Sequence, residues 1–149
     1  MKVVIQRVSK ASVNIKSDVR QINKGIVVLI GIETSDTDKD VKWISDKILN
    51  LRIFPDEQGK FDKSVLDIQG DVLVVSQFTL LGDCRKGRRP DFTKAASSEK
   101  AKILYERFIE LISESGLNIQ TGEFQAYMNV EIHNDGPVTL ILDSTHNDK

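Results

Sequence analysis

The sequence predicts a mixed α/β fold in a single domain spanning residues 1–149. Three observations predict it: many segments with strand-like apolar spacing, two well-separated segments with helical spacing, and no fixed-period repeat or low-complexity linker. Strands joined partly by hairpins and partly by crossovers give a mixed sheet. The apolar stripes of the two helices need cover, so both helices are expected on a sheet face.

Taken in order, "KVVIQRVSKASVNIK" reads as two short strands, the second alternating Ala11, Val13 and Ile15 with polar residues. Ser17 and Asp18 are turn candidates, and a brief extended piece runs through Ile22 to the turn-like "NKG". "IVVLIGI" (26–32) is apolar at consecutive positions, the pattern of a strand covered on both faces. After a polar loop at 34–38, Val41, Ile44, Ile48 and Leu51 fall at helical spacing. Asp36, Thr37 or Asp38 can cap that helix, which should end near Asn50. "LRIF" reads as a short strand closed by the "PDEQG" turn. A turn at Gln69-Gly70 then precedes a strong strand over 72–78. A second helix over 98–115 carries Ala101, Leu104, Tyr105, Phe108, Leu111 and Ile112 on one stripe. Ser97 or Ser98 can cap its start, and Gly116 stands where a C-terminal glycine belongs. Extended segments follow at 117–121, 124–132 and 138–142, and the polar tail at 144–149 is expected to fray.

A chain of 149 residues can bury roughly 70% of its unfolded surface, so a core forms without disulfides or a metal. The longest apolar run is too short to span a bilayer, and Gln6 and Arg7 interrupt any signal-peptide core near the start. A single cysteine, Cys84, suits a reducing compartment, so a cytoplasmic protein with no membrane partner is expected. The net charge of −1 exerts no general pull on nucleic acid. One loop differs: "CRKGRRPDF" gathers Arg85, Lys86, Arg88 and Arg89, which can engage phosphates locally or stand as a solvated loop.

Most familiar chemistry is poorly served by this sequence. There are two histidines, His133 and His146, and no CxxC, HExxH or EF-hand pattern, so no metal site is expected. The same shortage argues against a Ser-His-Asp triad, and neither a GxSxG elbow nor a nucleotide-binding glycine loop is present. Cys84 beside Arg85 and Lys86 has no firm base partner. What remains are polar groups at strand ends. In "VVSQFTLLGD", Ser76, Gln77 and Thr79 interrupt an apolar strand as it finishes. They either satisfy local hydrogen bonds or line a pocket whose donors stabilise an oxyanion in acyl transfer. In "NDGPVT", Gly136 and Pro137 make a plausible turn, but Gly136 also lets backbone approach a ligand closely.

With "SQFTL", "KGRRPDF" and "NDGPVT" in this order, the chain closely resembles the D-aminoacyl-tRNA deacylase family. The resemblance runs from "VIQRVSKASV" through "NLRIFPDEQGKF" to "GPVTLILD", nearly the whole chain. It implies a homodimer with a three-layer β/β/α fold and an active site at the subunit interface. It also implies an esterase that cleaves D-aminoacyl-tRNA as a proofreading step, without an organic cofactor and without a DNA partner. Ser76, Gln77 and Thr79 then become the catalytic segment, with Phe78 and Met128 as pocket walls. Gly136-Pro137 becomes a cis unit that enters the partner's site, where an L side chain would collide with backbone. Glycine, lacking a side chain, would escape that clash, so mischarged glycyl-tRNA is an expected substrate. Arg7 corresponds to a family arginine that holds the Gly-Pro unit. The basic residues at 85–89 become candidates for contacting the tRNA acceptor stem. Thr79 is a nucleophile by type, and the alternative is attack assisted by the ribose 2′-OH of the substrate. One departure stands out: many relatives read F-G-A-x-M where this chain has "FQAYM", so Gln125 alters the pocket rim. A non-catalytic RNA-binding module and an editing factor for L-amino acids are the rival readings.

Overall fold

The computed structural model describes residues 1–146. Strand β1 is one continuous element, Lys2–Ile15, where two short strands were expected. It stays continuous because its partners change along it. Residues 2–8 pair with β3 (Gly25–Gly31), and residues 11–15 pair with β2 (Asp18–Ile22), both antiparallel. The exposed polar residues Ser9 and Lys10, which suggested a break, lie at this change of partner. Strand β6 (Asp71–Ser76) pairs with β3 in parallel, and β7 (Ile119–Thr121) pairs with β6 in parallel. Strand β8 (Asn129–Asp143) runs antiparallel along the other edge of β1. The sheet order is therefore β2-β1-β3-β6-β7 with β8 on β1, and β4 (Phe54–Pro55) and β5 (Phe61–Lys63) form a small separate ribbon.

The expected mixed sheet with two helices is present. Helix α1 (Asp38–Asn50) connects β3 toward β6, and α2 (Ser98–Ser113) connects β6 to β7. Thr37 is the N-cap of α1, and the Asp40 carboxylate accepts from its N–H at 2.8 Å and its hydroxyl at 3.1 Å. Ser97 caps α2 by accepting the Lys100 N–H at 3.3 Å, and Gly116 beyond its end takes a φ of +77°.

The consecutive apolar pattern of β3 has a clear cause. Ile26, Val28 and Ile30, with Val72 and Val74 of β6, join the helical residues Val41, Ile44, Ile48, Phe108 and Ile112 in one core. Val27, Leu73 and Val75 face the other way and pack with Val8, Val13, Ile15 and Ile22 in a second. Both faces of the central strands are dry, so neither face could be polar.

Several boundaries moved. Only Phe54–Pro55 of the "LRIF-P" stretch is strand, because Ile53 donates locally to the Leu51 carbonyl at 3.1 Å. Strand β6 ends at Ser76, and Phe78–Leu81 coils into a 3-10 turn. Residues 124–128 are not extended, since Gln125 has a φ of +64°. The tail is not frayed at its start: Ser144–His146 forms a 3-10 turn, and the buried Ser144 hydroxyl accepts from the Met1 amino group at 2.9 Å. That amino group also pairs with the buried Asp36 at 2.6 Å. The rest of the expected fray, 147–149, lies outside the described residues.

Candidate active site

The end of β6 delivers the first half of the site. Gln77 N–H donates to the Ile30 carbonyl at 2.8 Å, which prolongs the β3 pairing by one bond and then releases the chain into the 3-10 turn. That bond removes the Gln77 N–H from the expected oxyanion donors. The N–H groups of Phe78 and Thr79 open the turn, and the first donors of such a turn have no acceptor within it. They, rather than Gln77, are the backbone donors presented at this strand end. The Gln77 side-chain amide donates to Thr79 Oγ1, so that oxygen accepts and its own proton is free to point elsewhere.

A cavity of about 810 Å³ opens here. Ser76, Gln77, Phe78 and Thr79 line one side, and Phe124, Gln125, Tyr127 and Met128 line another. Phe78 is more than half exposed and is braced edge-on by Phe92 at 5.1 Å between ring centroids. Among the described residues, no carboxylate, imidazole, ammonium, guanidinium or thiol lines this cavity. Tyr105 lies behind it, against Phe124 at 5.7 Å, and burial pushes its phenol up to about 12, so it stays neutral. The cavity therefore offers hydroxyls, the Tyr127 phenol, amides and backbone N–H groups, but no carboxylate or imidazole to serve as general base. No group of three or more metal-ligating side chains occurs among the described residues either.

The second half of the site stands apart. Gln6 pairs with Thr139 and Val8 with Asn134, so Asp135 to Val138 bulge out opposite Arg7 alone. The bond Gly136–Pro137 is cis, and both residues are exposed. Arg7 is buried beneath the bulge. It donates to the Ile53 carbonyl at 2.8 Å and the Asp135 carbonyl at 3.2 Å, pairs with the Asp135 carboxylate at 3.2 Å, and lies 5.8 Å from the Phe61 ring centre. The ends of the N-x-G-P-x-T motif close the base of the bulge. Asn134 donates to the Thr139 hydroxyl at 2.9 Å and accepts the Val138 N–H at 3.2 Å, while Gln6 also donates to Thr139. Gly136 and Pro137 do not line the cavity of their own chain. Asn134 and Thr139 were visible in the motif without a role, and nothing in the sequence pointed to Gln6 or Phe61.

The basic loop leaves the 3-10 turn and returns at Phe92. Backbone bonds between Asp83 and Asp91, at 2.7 and 3.0 Å, pinch its neck. Arg85 is bound to the Asp83 carboxylate, and its hydrogen bonds hold that carboxyl far below the usual range. Lys86, Arg88 and Arg89 are exposed and form no ion pair among the described residues. The loop thus presents three cations without an ion pair among the described residues instead of four. Cys84 is exposed in the same loop.

Residues 4–143 match the family model for D-Tyr-tRNA(Tyr) deacylase. A D-aminoacyl-tRNA deacylase of Petrotoga mobilis is 58% identical over 146 residues, covering 97% of both chains. One from Clostridium botulinum is also 58% identical, covering 99% of both. Among solved structures, a c-Myc DNA unwinding element binding protein superposes with a TM-score of 0.90 at 47% identity, over 96% of this chain and 98% of that one. A probable eukaryotic D-amino acid tRNA deacylase shares the fold at 18% identity, with a TM-score of 0.83 over 95% of this chain and 97% of that one. No helix among the described residues is long and apolar enough to cross a membrane.

Proposed function

The chain belongs to the D-Tyr-tRNA(Tyr) deacylase family, hydrolases that act on aminoacyl-tRNA, and from that premise we propose how its own residues carry out the reaction. The ester of a D-aminoacyl-tRNA enters the cavity beside Ser76 to Thr79. Water adds to the ester carbonyl, the bond to the ribose oxygen breaks, and free D-amino acid and tRNA leave. The Phe78 and Thr79 N–H groups stabilise the oxyanion, and the ribose 2′-OH of the substrate assists the attacking water. The observation that carries this reading is a cavity lined by the "SQFT" segment and Met128 with no carboxylate, imidazole, amine or thiol among the described residues. A threonine nucleophile needs a base to take its proton; a substrate hydroxyl relieves the protein of that task.

Gly136-Pro137 supplies stereochemical selection in a homodimer of three-layer subunits, by entering the cavity of the second copy. Its support is the bulge fixed from below by Arg7, whose Gly136 and Pro137 are exposed and do not line the cavity of their own chain. A D-residue turns its hydrogen toward this backbone, whereas an L-residue would turn its side chain into it. Glycine has nothing to collide, so glycyl-tRNA is a second substrate. Lys86, Arg88 and Arg89 contact acceptor-stem phosphates. A cytoplasmic proofreading role follows from that substrate.

The direct test is release of D-tyrosine from D-Tyr-tRNA by the purified, folded protein; an intact ester would overturn the reading. Thr79→Ala should keep kcat/KM within about tenfold of wild type, a change of roughly 1.4 kcal/mol in barrier. Complete loss of turnover in that variant would instead make Thr79 the nucleophile.

A further inference from the structure

We propose that Phe61 is a positioning residue for the Gly136-Pro137 bulge, acting through Arg7 from the β4–β5 ribbon. The inference rests on the bulge being the element that selects the substrate's hand. Arg7 reaches the bulge by donating to the Asp135 carbonyl, and it reaches the ribbon by donating to the Ile53 carbonyl. Its guanidinium also lies over the Phe61 ring, 5.8 Å from the ring centre, within the range of a cation–π contact. Both arms of the ribbon therefore hold the cation, one by a carbonyl just before β4 and the other by a ring on β5.

Core packing does not account for this ring. Phe61 is 56% exposed and belongs to neither apolar core, whereas Ile53 and Phe54 on the opposite arm are buried in the first. The backbone that carries the ring is nevertheless tightly fixed. The Asp56 carboxylate accepts the Gln58 and Lys60 N–H groups at 2.8 and 2.9 Å, and the Asp56 N–H donates to the Lys60 carbonyl at 2.8 Å. Beside the ring, the Asp62 carbonyl accepts from Arg52 at 2.7 Å, and the two side chains form an ion pair. What the ring covers is Arg7, whose side chain is 11% exposed. The ring keeps water from competing for the guanidinium, and its π-face favours the place from which the fork meets both carbonyls. Without it, Arg7 hydrates, its bond to Asp135 loosens and the bulge shifts.

Two measurements on Phe61→Ala and Phe61→Tyr test this. The first is hydrogen exchange of the Arg7 Nε–H, the donor to the Asp135 carbonyl, followed by NMR in the whole protein. Exchange should speed up roughly two- to fivefold in Phe61→Ala, the equivalent of one partly exposed cation–π contact, and keep the wild-type rate in Phe61→Tyr. The second is single-turnover deacylation of D-Tyr-tRNA over a range of enzyme concentrations. Phe61→Ala should lower the saturating rate by the same factor at unchanged half-saturation, because the residue places the bulge and does not hold the RNA. Phe61→Tyr should restore that rate. Because the ring is half exposed, Phe61→Ala should melt within about 4 °C of wild type. Unchanged Arg7 exchange in Phe61→Ala would overturn the proposal, as would a wild-type saturating rate or a loss confined to half-saturation. A wild type that leaves D-Tyr-tRNA intact would instead overturn the reading of the site beneath it.

Discussion

Gly136→Ala is expected to lower kcat/KM for D-aminoacyl-tRNA by about 100-fold or more, the cost of displacing a positioning group by roughly 1 Å. Gly136 has a φ of +127°, a conformation that L side chains rarely adopt. A Cβ there would lie 2.9 Å from Val138 Cγ2, 3.0 Å from the Val138 nitrogen and 3.1 Å from Arg7 Nη2. The nitrogen is backbone and Arg7 is tied to two carbonyls, so the bulge itself must shift. Because Asp135, Gly136 and Pro137 are exposed and only Val138 of the bulge packs against a core, the melting temperature should fall only modestly. Single-turnover deacylation with a parallel thermal melt separates the two effects. A variant with a wild-type rate would mean that the bulge plays no part in the site.

Arg7→Ala is expected to damage stability and activity together. The Arg7 side chain is the donor to the Ile53 and Asp135 carbonyls, and the Ile53 bond is buried. Leaving the buried Ile53 carbonyl unsatisfied costs about 1–3 kcal/mol and the part-buried Asp135 carbonyl adds about 1 kcal/mol, so a loss of roughly 2–4 kcal/mol is expected. At this chain length that corresponds to a fall in Tm of roughly 5–15 °C. Arg7→Lys should recover only part of it, because an ammonium cannot span both carbonyls as the guanidinium fork does. Asp135→Ala is the control: its carboxylate is half exposed, so losing that ion pair should cost less than about 1 kcal/mol. A thermal melt of the three variants decides whether Arg7 acts through the carbonyls or through the charge.

Much of the architecture could be read from local pattern. The stripe from Leu104 to Ile112 and the double-faced "IVVLIGI" segment announced an element and its environment at once, because burial on one or two faces constrains every residue. The misread places are those where neighbours distant in sequence decide the conformation. Strand β1 looked interrupted at Ser9-Lys10, yet β2 and β3 take turns beside it. The strand expected over 72–78 ends two residues early, at Ser76, because after the bond from Gln77 to Ile30 the chain coils into the 3-10 turn. At the site, residue types were legible and their geometry was not. "SQFT" suggested donors but not that Gln77 would spend its N–H on β3, and "CRKGRR" did not reveal that Asp83 takes Arg85 out of play. The departure at Gln125 gained a physical meaning: this position is left-handed, a conformation glycine adopts freely and glutamine adopts here to turn the rim.

In the proposed reading a fixed backbone, not an attractive contact, selects the substrate's hand. The most direct measurement compares hydrolysis of D-Tyr and L-Tyr esters carried on the same tRNA. Rapid release of D-tyrosine is expected, with an L-ester that decays no faster than in buffer. Comparable cleavage of both esters would contradict it.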